Sequence, residues 1–134
     1  MTGTGILDTS AVIALPRLRS AEGLPEHAVT TTVTMAELAV GPLVAKDDQE
    51  RARRQAVLQQ AEVDLEAIPF DMAAARAFGR VAADLRQAGR KPAARTYDAM
   101  IAAIALSRGL PVHTANPAAF ARIDGLTVVS LPAA

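Results

Sequence analysis

The chain contains no cysteine, which excludes disulfides, thiolate metal sites and cysteine nucleophiles together. Aromatic residues are nearly absent: Phe70, Phe78, Phe120 and Tyr97 are the whole set. A core must therefore be built from Ala, Val, Leu and Ile, and there is no platform for stacking several bases. Neither sign of charge is in excess, since 14 Lys and Arg balance 14 Asp and Glu. Nucleic-acid binding would have to come from a local patch and not from the field of the whole protein. Long apolar runs are missing too. The longest stretch without a formal charge, Gly109 to Ala121, holds His, Asn, Thr and two prolines and falls short of the ~20 apolar residues of a membrane helix. No basic residue precedes Arg17, and Asp8 interrupts the first apolar stretch, so the start lacks the regions of a signal peptide. A cytoplasmic protein without membrane contact is expected.

With 134 residues, one domain spanning 1–134 is expected, long enough to bury a sizeable core. Gly5 to Asp8 reads as a buried strand, with Thr9 and Ser10 as caps for a helix from Ala11 that Pro16 ends. Ala28 to Thr31 reads as a second strand, followed by a helix capped by Thr32 or Thr34 and broken at Gly41-Pro42. Asp47 and Asp48 open a charged helix to about Glu62, on which Arg51, Arg53 and Arg54 read as a solvated face. Leu65 to Pro69 is the third strand. Asp71 caps an amphipathic helix carrying Ala74, Phe78, Val81 and Leu85 at helical spacing, which Gly89 stops. A further helix starts near Asp98 and ends at Gly109. Leu110 to Thr114 is the fourth strand, Pro117 to Arg122 a helical turn, and Thr127 to Leu131 the fifth strand. Such alternation predicts an α/β fold with a parallel sheet covered by helices on both faces.

Most of the acids lie in polar stretches or suit helix starts. Three do not: Asp8 sits in Ile-Leu-Asp-Thr-Ser-Ala-Val, Glu37 in Thr-Met-Ala-Glu-Leu-Ala-Val, and Asp98 directly before Ala-Met-Ile-Ala-Ala-Ile. A carboxylate removed from water must meet a cation, face a wet cleft or be neutralised. Taken singly, Asp98 also suits a helix start, and Glu37 the exposed side of an amphipathic helix. The simplest common solution is convergence on a divalent cation, for which hard carboxylate oxygens suit Mg²⁺ or Mn²⁺. In open parallel sheets a site lies beyond the carboxyl ends of the strands, where connections leave in opposite directions. If strands one and four are neighbours, Asp8, Glu37, Asp98 and Asn116 can meet there.

The order Leu7-Asp8-Thr9-Ser10, Thr34-Met-Ala-Glu37-Leu38, Tyr97-Asp98-Ala-Met-Ile101-Ala-Ala and Thr114-Ala-Asn116 with Phe120 resembles PIN-domain toxins of the VapC type, over nearly the whole chain. The resemblance implies a three-layer doubly wound fold with five parallel strands in the order 3-2-1-4-5. It also implies a homodimer, Mg²⁺- or Mn²⁺-dependent RNA cleavage and a VapB-type antitoxin that wraps the toxin. By position, Asp8, Glu37 and Asp98 would be catalytic metal ligands, and Thr9 and Thr114 supporting hydroxyls. The sequence departs from the pattern at Asn116, where many relatives place an acid at or just after this position. Asn116 is thus either a neutral fourth ligand or a turn residue before Pro117, and a catalytically weak PIN domain that serves as a regulatory, antitoxin-binding module is the alternative function. Arg86, Arg90, Lys91 and Arg95, with no acid between Asp84 and Asp98, are the expected RNA-contacting patch, with an exposed polar loop as the other reading.

Rival nucleotide-handling chemistries lack their residues. Gly3-Thr-Gly5 precedes the first strand and has no third glycine, and no phosphate-loop Gly-Lys-Ser or Gly-Lys-Thr occurs. A receiver domain would want a lysine after a late strand, and only Lys46 and Lys91 exist. A metal-free ribonuclease using His27 and His113 would leave the three apolar-flanked acids unexplained.

Overall fold

A computed structural model describes residues 3–18, 23–91 and 95–132. Five strands, β1 (Thr4–Leu7), β2 (His27–Thr31), β3 (Ala67–Ile68), β4 (Val112–Thr114) and β5 (Val128–Ser130), form one sheet in the order β3-β2-β1-β4-β5. Every pairing is parallel, with Ile6 opposite both Val29 and Val112. Five helices connect them: α1 (Thr9–Leu18), α2 (Thr32–Val40), α3 (Asp48–Asp64), α4 (Met72–Gln87) and α5 (Thr96–Arg108).

The alternation of side chains along β1 divides the core into two layers. Ile6 points into a cluster with Val81 and Leu85 of α4 and Ile101 and Ile104 of α5. Leu7 points the other way, onto Ala11 and Leu18 of α1, Leu38 of α2 and Ala61 of α3. Helices thus cover both faces, and β1, the central strand, is buried from Gly5 to Leu7. Gly5 is required by packing: a Cβ there would overlap the imidazole of His113, whose Nδ1 lies 2.5 Å from the Gly23 carbonyl oxygen.

Several boundaries differ from the sequence reading. The cap of α1 is neither Thr9 nor Ser10 but Asp8, whose Oδ1 accepts from Ala11 N–H at 2.9 Å. Pro16 does not end this helix, which runs on to Leu18; the ring removes one N–H while holding φ at a helical value. The cap of α2 is Thr31, which accepts from Thr34 N–H at 3.1 Å. The chain continues past Gly41 as a 3-10 turn over Gly41–Val44. Strand β3 keeps two residues because it pairs on one side only, and Pro69 offers no donor to extend it. Helix α5 starts at Thr96 and not at Asp98, so Asp98 is its third residue. No described helix is long and apolar enough to cross a membrane.

Candidate active site

The two central strands β1 and β2 end alike, each passing into a helix through a buried polar side chain that caps it. Asp8 is 3% exposed, and its carboxylate lies beyond the carboxyl end of β1 at the switch between β2 and β4. Its Oδ1 accepts from Ser10 Oγ at 2.8 Å and from Ala11 N–H, and its Oδ2 accepts from Thr114 Oγ1 at 2.6 Å. These hydroxyls are oriented in turn from the segment after β4. Ala115 N–H donates to Ser10 Oγ at 3.1 Å and Asn116 N–H to Thr114 Oγ1 at 2.9 Å. Each hydroxyl accepts a backbone proton and gives its own to Asp8, so two relays converge on one carboxylate.

Glu37 is half-buried on α2. Thr9 Oγ1 donates to Glu37 Oε1 at 2.5 Å and lies 3.1 Å from Thr34 Oγ1. Asp98 is half-buried in the first turn of α5, and its carboxylate has no hydrogen bond among the described residues. Each of the three acids is pushed up from its ordinary value. Burial is the leading cause at each. For Asp8 it outweighs the bonds from Thr114, Ala11 and Ser10. For Glu37 it is opposed by Thr9 and reinforced by the charges of Asp98 and Asp8. For Asp98 it is reinforced by Asp8 and opposed by Arg95 and then Arg90. Glu37 therefore senses the charges of Asp98 and Asp8, and Asp98 that of Asp8, and none of the three is in an ion pair among the described residues. Among the described residues no three acidic or imidazole groups stand together as a metal-holding cluster; of the three acids, Glu37 lines the cleft beside Thr9.

Thr9 and Thr114 each donate a hydrogen bond to one of the acids, Thr9 to Glu37 and Thr114 to Asp8. Asn116 reaches the cluster through its backbone. Its side chain is exposed and makes no hydrogen bond among the described residues, while its carbonyl accepts from Ala119 N–H at 3.1 Å in the turn over Pro117–Phe120. The expected basic patch divides. Arg95 and Arg90 act on Asp98, but the Arg90 guanidinium is engaged by the carbonyls of Ala121 and Ala118, at 2.9 and 3.0 Å. Arg86 and Lys91 are exposed.

His27 and His113 are not partners for acid and base chemistry here. His27 opens β2 at the amino end of the sheet, opposite Thr4, and His113 is buried against Gly5. The α3 arginines are solvated as read, Arg51 and Arg53 being exposed and Arg54 half-buried, but two of them are also engaged. Arg51 Nε donates to the Pro42 carbonyl at 3.2 Å, and Arg54 donates to the Gly41 carbonyl at 2.9 Å and pairs with Glu50 at 3.1 Å. With Arg17 and Arg53, Arg54 lines a cleft of about 610 Å³ that opens beside Thr9 and Glu37. The sequence held a signal for this: Glu50, Arg53, Arg54 and Val57 recur at the spacing of one helix face.

The fold and the site define a doubly wound α/β protein with a buried carboxylate, Asp8, at its switch point and two half-buried ones, Glu37 and Asp98, whose charges act with it. The PIN domain family matches residues 6–126, and the chain belongs to that family. Within it, the chain is 41% identical over 129 residues to Ribonuclease VapC5 of Mycobacterium tuberculosis, covering 95% of this chain and 93% of that protein. It is 35% identical over 96 residues to the tRNA(fMet)-specific endonuclease VapC of Shigella flexneri, covering 72% of this chain and 69% of that one. Among solved structures, the VapBC-5 toxin–antitoxin complex of M. tuberculosis superposes with a TM-score of 0.81 at 37% identity, over 96% of this chain and 98% of that one.

Proposed function

We propose that this chain is the ribonuclease toxin of a VapBC-type pair, hydrolysing RNA phosphodiesters at the cluster of Asp8, Glu37 and Asp98 with Mg²⁺ or Mn²⁺. The observation that carries this reading is three carboxylates from three different helix starts and faces, held close enough to raise one another's proton affinity with no cation bonded to them. Such an arrangement is unfavourable alone and is completed by positive charge. The donor set fits a hard cation: Asp98 has both oxygens free of hydrogen bonds among the described residues, Glu37 Oε2 likewise, and Asp8 Oδ2 accepts only one. An open site suits Mg²⁺, which keeps several waters and takes one or two carboxylates. When bound, the cation would supply a more acidic water and a counter-charge for the phosphoryl oxygens.

The protein's own contribution is orientation. Ser10 and Thr114 hold Asp8 as the acceptor, and Thr9 fixes Glu37. In this reading Glu37 would accept a proton from an attacking water at Oε2, the oxygen that Thr9 does not bond. The charge of Arg95 opposes the upward push that burial gives the Asp98 carboxyl.

The partner in this reading is a VapB-type antitoxin that presents Arg or Lys to the carboxylates, replacing the metal's charge. The homodimer implied by the resemblance belongs to the same proposal. Incubating the purified protein with total RNA, with and without Mg²⁺ or Mn²⁺, and mapping the cut ends tests it. Cleavage that needs metal and leaves 5′-phosphates is expected, and Asp8→Asn, which retains a cap acceptor, abolishes it without unfolding. Cleavage that survives chelation and leaves cyclic phosphates would overturn the assignment, and no cleavage under any condition would favour a regulatory PIN module.

A further inference from the structure

The cleft beside Glu37 has a composition that the carboxylate chemistry does not require. One wall is apolar, formed by Ile13 of α1, Leu38 of α2 and Val57 of α3, and Ile13 is 50% exposed. The rim carries Arg17, Arg53 and Arg54. Arg54 is tied to Glu50 and to the Gly41 carbonyl, and its neighbour Arg51 pairs with Asp48 at 2.6 Å. Arg17 and Arg53 are exposed and have no ion pair or hydrogen bond among the described residues. Two guanidinium groups without a partner among the described residues thus line the same cleft as Thr9 and Glu37.

We propose that this cleft is the binding site for single-stranded RNA on one side of the cut, with Arg17 and Arg53 holding phosphates and the Ile13 wall receiving a base or ribose face. This inference rests on the ribonuclease reading above. A polyanion approaching three carboxylates is repelled unless cations flank them. Arg95 provides such a margin on the Asp98 side, and on the Glu37 side Arg17 and Arg53 are the cations of the cleft with no partner among the described residues. A strand crossing the site then meets positive charge before and after the scissile phosphate. A cleft of about 610 Å³ is within the ~300–1,000 Å³ typical of ligand pockets, and an apolar wall can meet a base face only where the strand is unstacked.

The test measures binding of a fluorescein-labelled single-stranded RNA of mixed sequence to the full chain in EDTA, so that affinity is read without cleavage. The Arg17→Gln/Arg53→Gln double variant should bind about tenfold more weakly, and its salt slope should flatten by about 1.4, at roughly 0.7 per phosphate contact on a single strand. Arg17→Lys/Arg53→Lys should recover most of the affinity. In metal, KM for RNA should rise while kcat at saturation stays near wild type. A control pair, Arg76→Gln/Arg80→Gln, removes the same charge from an exposed face of α4 and should change nothing. Equal effects from both pairs, or unchanged affinity in the cleft variant, would overturn the proposal. So would unchanged RNA affinity combined with lost antitoxin binding, which would make the cleft a peptide groove. Wild-type protein that binds RNA in the cleft but never cuts it would sink the nuclease reading and leave this one standing.

Discussion

At the scale of single residues, Asn116 and Glu37 give the sharpest expectations. Asn116 stands where the backbone relay to Asp8 begins, with its amide group exposed and unpartnered among the described residues. Asn116→Asp adds a negative charge beside the cleft and should tighten Mn²⁺ binding by roughly tenfold. Calorimetric titration of wild type and variant decides it, and equal affinities would make Asn116 a turn residue. Burial and two neighbouring carboxylates outweigh the Thr9 hydrogen bond and push the Glu37 carboxyl up from its ordinary value, so its charged form is disfavoured there. Glu37→Gln keeps an acceptor for Thr9 and removes the repulsion. The metal-free variant should melt at a higher temperature than wild type at pH 7, although its cleavage activity is lost. A lower melting temperature would mean that the Glu37 charge has a cationic partner in solution.

At the scale of elements, the strand-to-helix junctions carry both stability and the site. Thr31 is fully buried, caps α2 and lies 3.4 Å from Thr34, which in turn contacts Thr9 beside Glu37. Thr31→Val retains the shape and loses the acceptor, which should cost about 1–2 kcal/mol in urea unfolding. It should also weaken Mn²⁺ binding, since the start of α2 sets where Glu37 lies. An unchanged unfolding midpoint would show that the cap bond is replaced by water. The order of elements was legible in the sequence because apolar spacing and the caps Asp47 and Asp71 are local signals, and both act as read. The dual role of Asp8 was less so: a strand end and a helix cap coincide there, and Thr9 and Ser10 offered equally good local chemistry. Asp8, Glu37 and Asp98 were legible as acids in apolar surroundings. The cleft of Arg17 and Arg53 was not, because it is made by α1 and α3, 36 residues apart in the chain, and only the packing of those helices reveals that the two share a rim.

At the scale of the whole molecule, the acidic cluster makes stability depend on pH in a direction opposite to ordinary acid denaturation. Each of the three carboxyls is held above its ordinary value in the folded chain. Between the unfolded and folded values the native state binds more protons, so this contribution falls as pH rises through that window and remains unfavourable above it. Metal-free protein should therefore lose melting temperature from mildly acidic to neutral pH. Saturating Mn²⁺ at pH 7 should restore it, with about 2.7 kcal/mol expected at a hundredfold excess over Kd. Differential scanning calorimetry with and without Mn²⁺ checks both arms. A pH profile that rises toward neutrality without metal would show that the cluster is already compensated within the protein.

The two proton relays that end on Asp8 also turn the segment after β4 into a gauge. Ala115 and Asn116 give their amide protons to Ser10 and Thr114, whose hydroxyl protons point at the carboxylate. Any change in the charge on Asp8, from proton to cation to an inhibitor's guanidinium, alters how strongly those hydroxyls are polarised, and polarisation passes along a hydrogen-bonded chain. The amide resonances of Ala115 and Asn116 in a nitrogen-15 spectrum should therefore shift with the occupancy of a site neither side chain bonds to, a built-in spectroscopic readout that needs no label on RNA, metal or antitoxin.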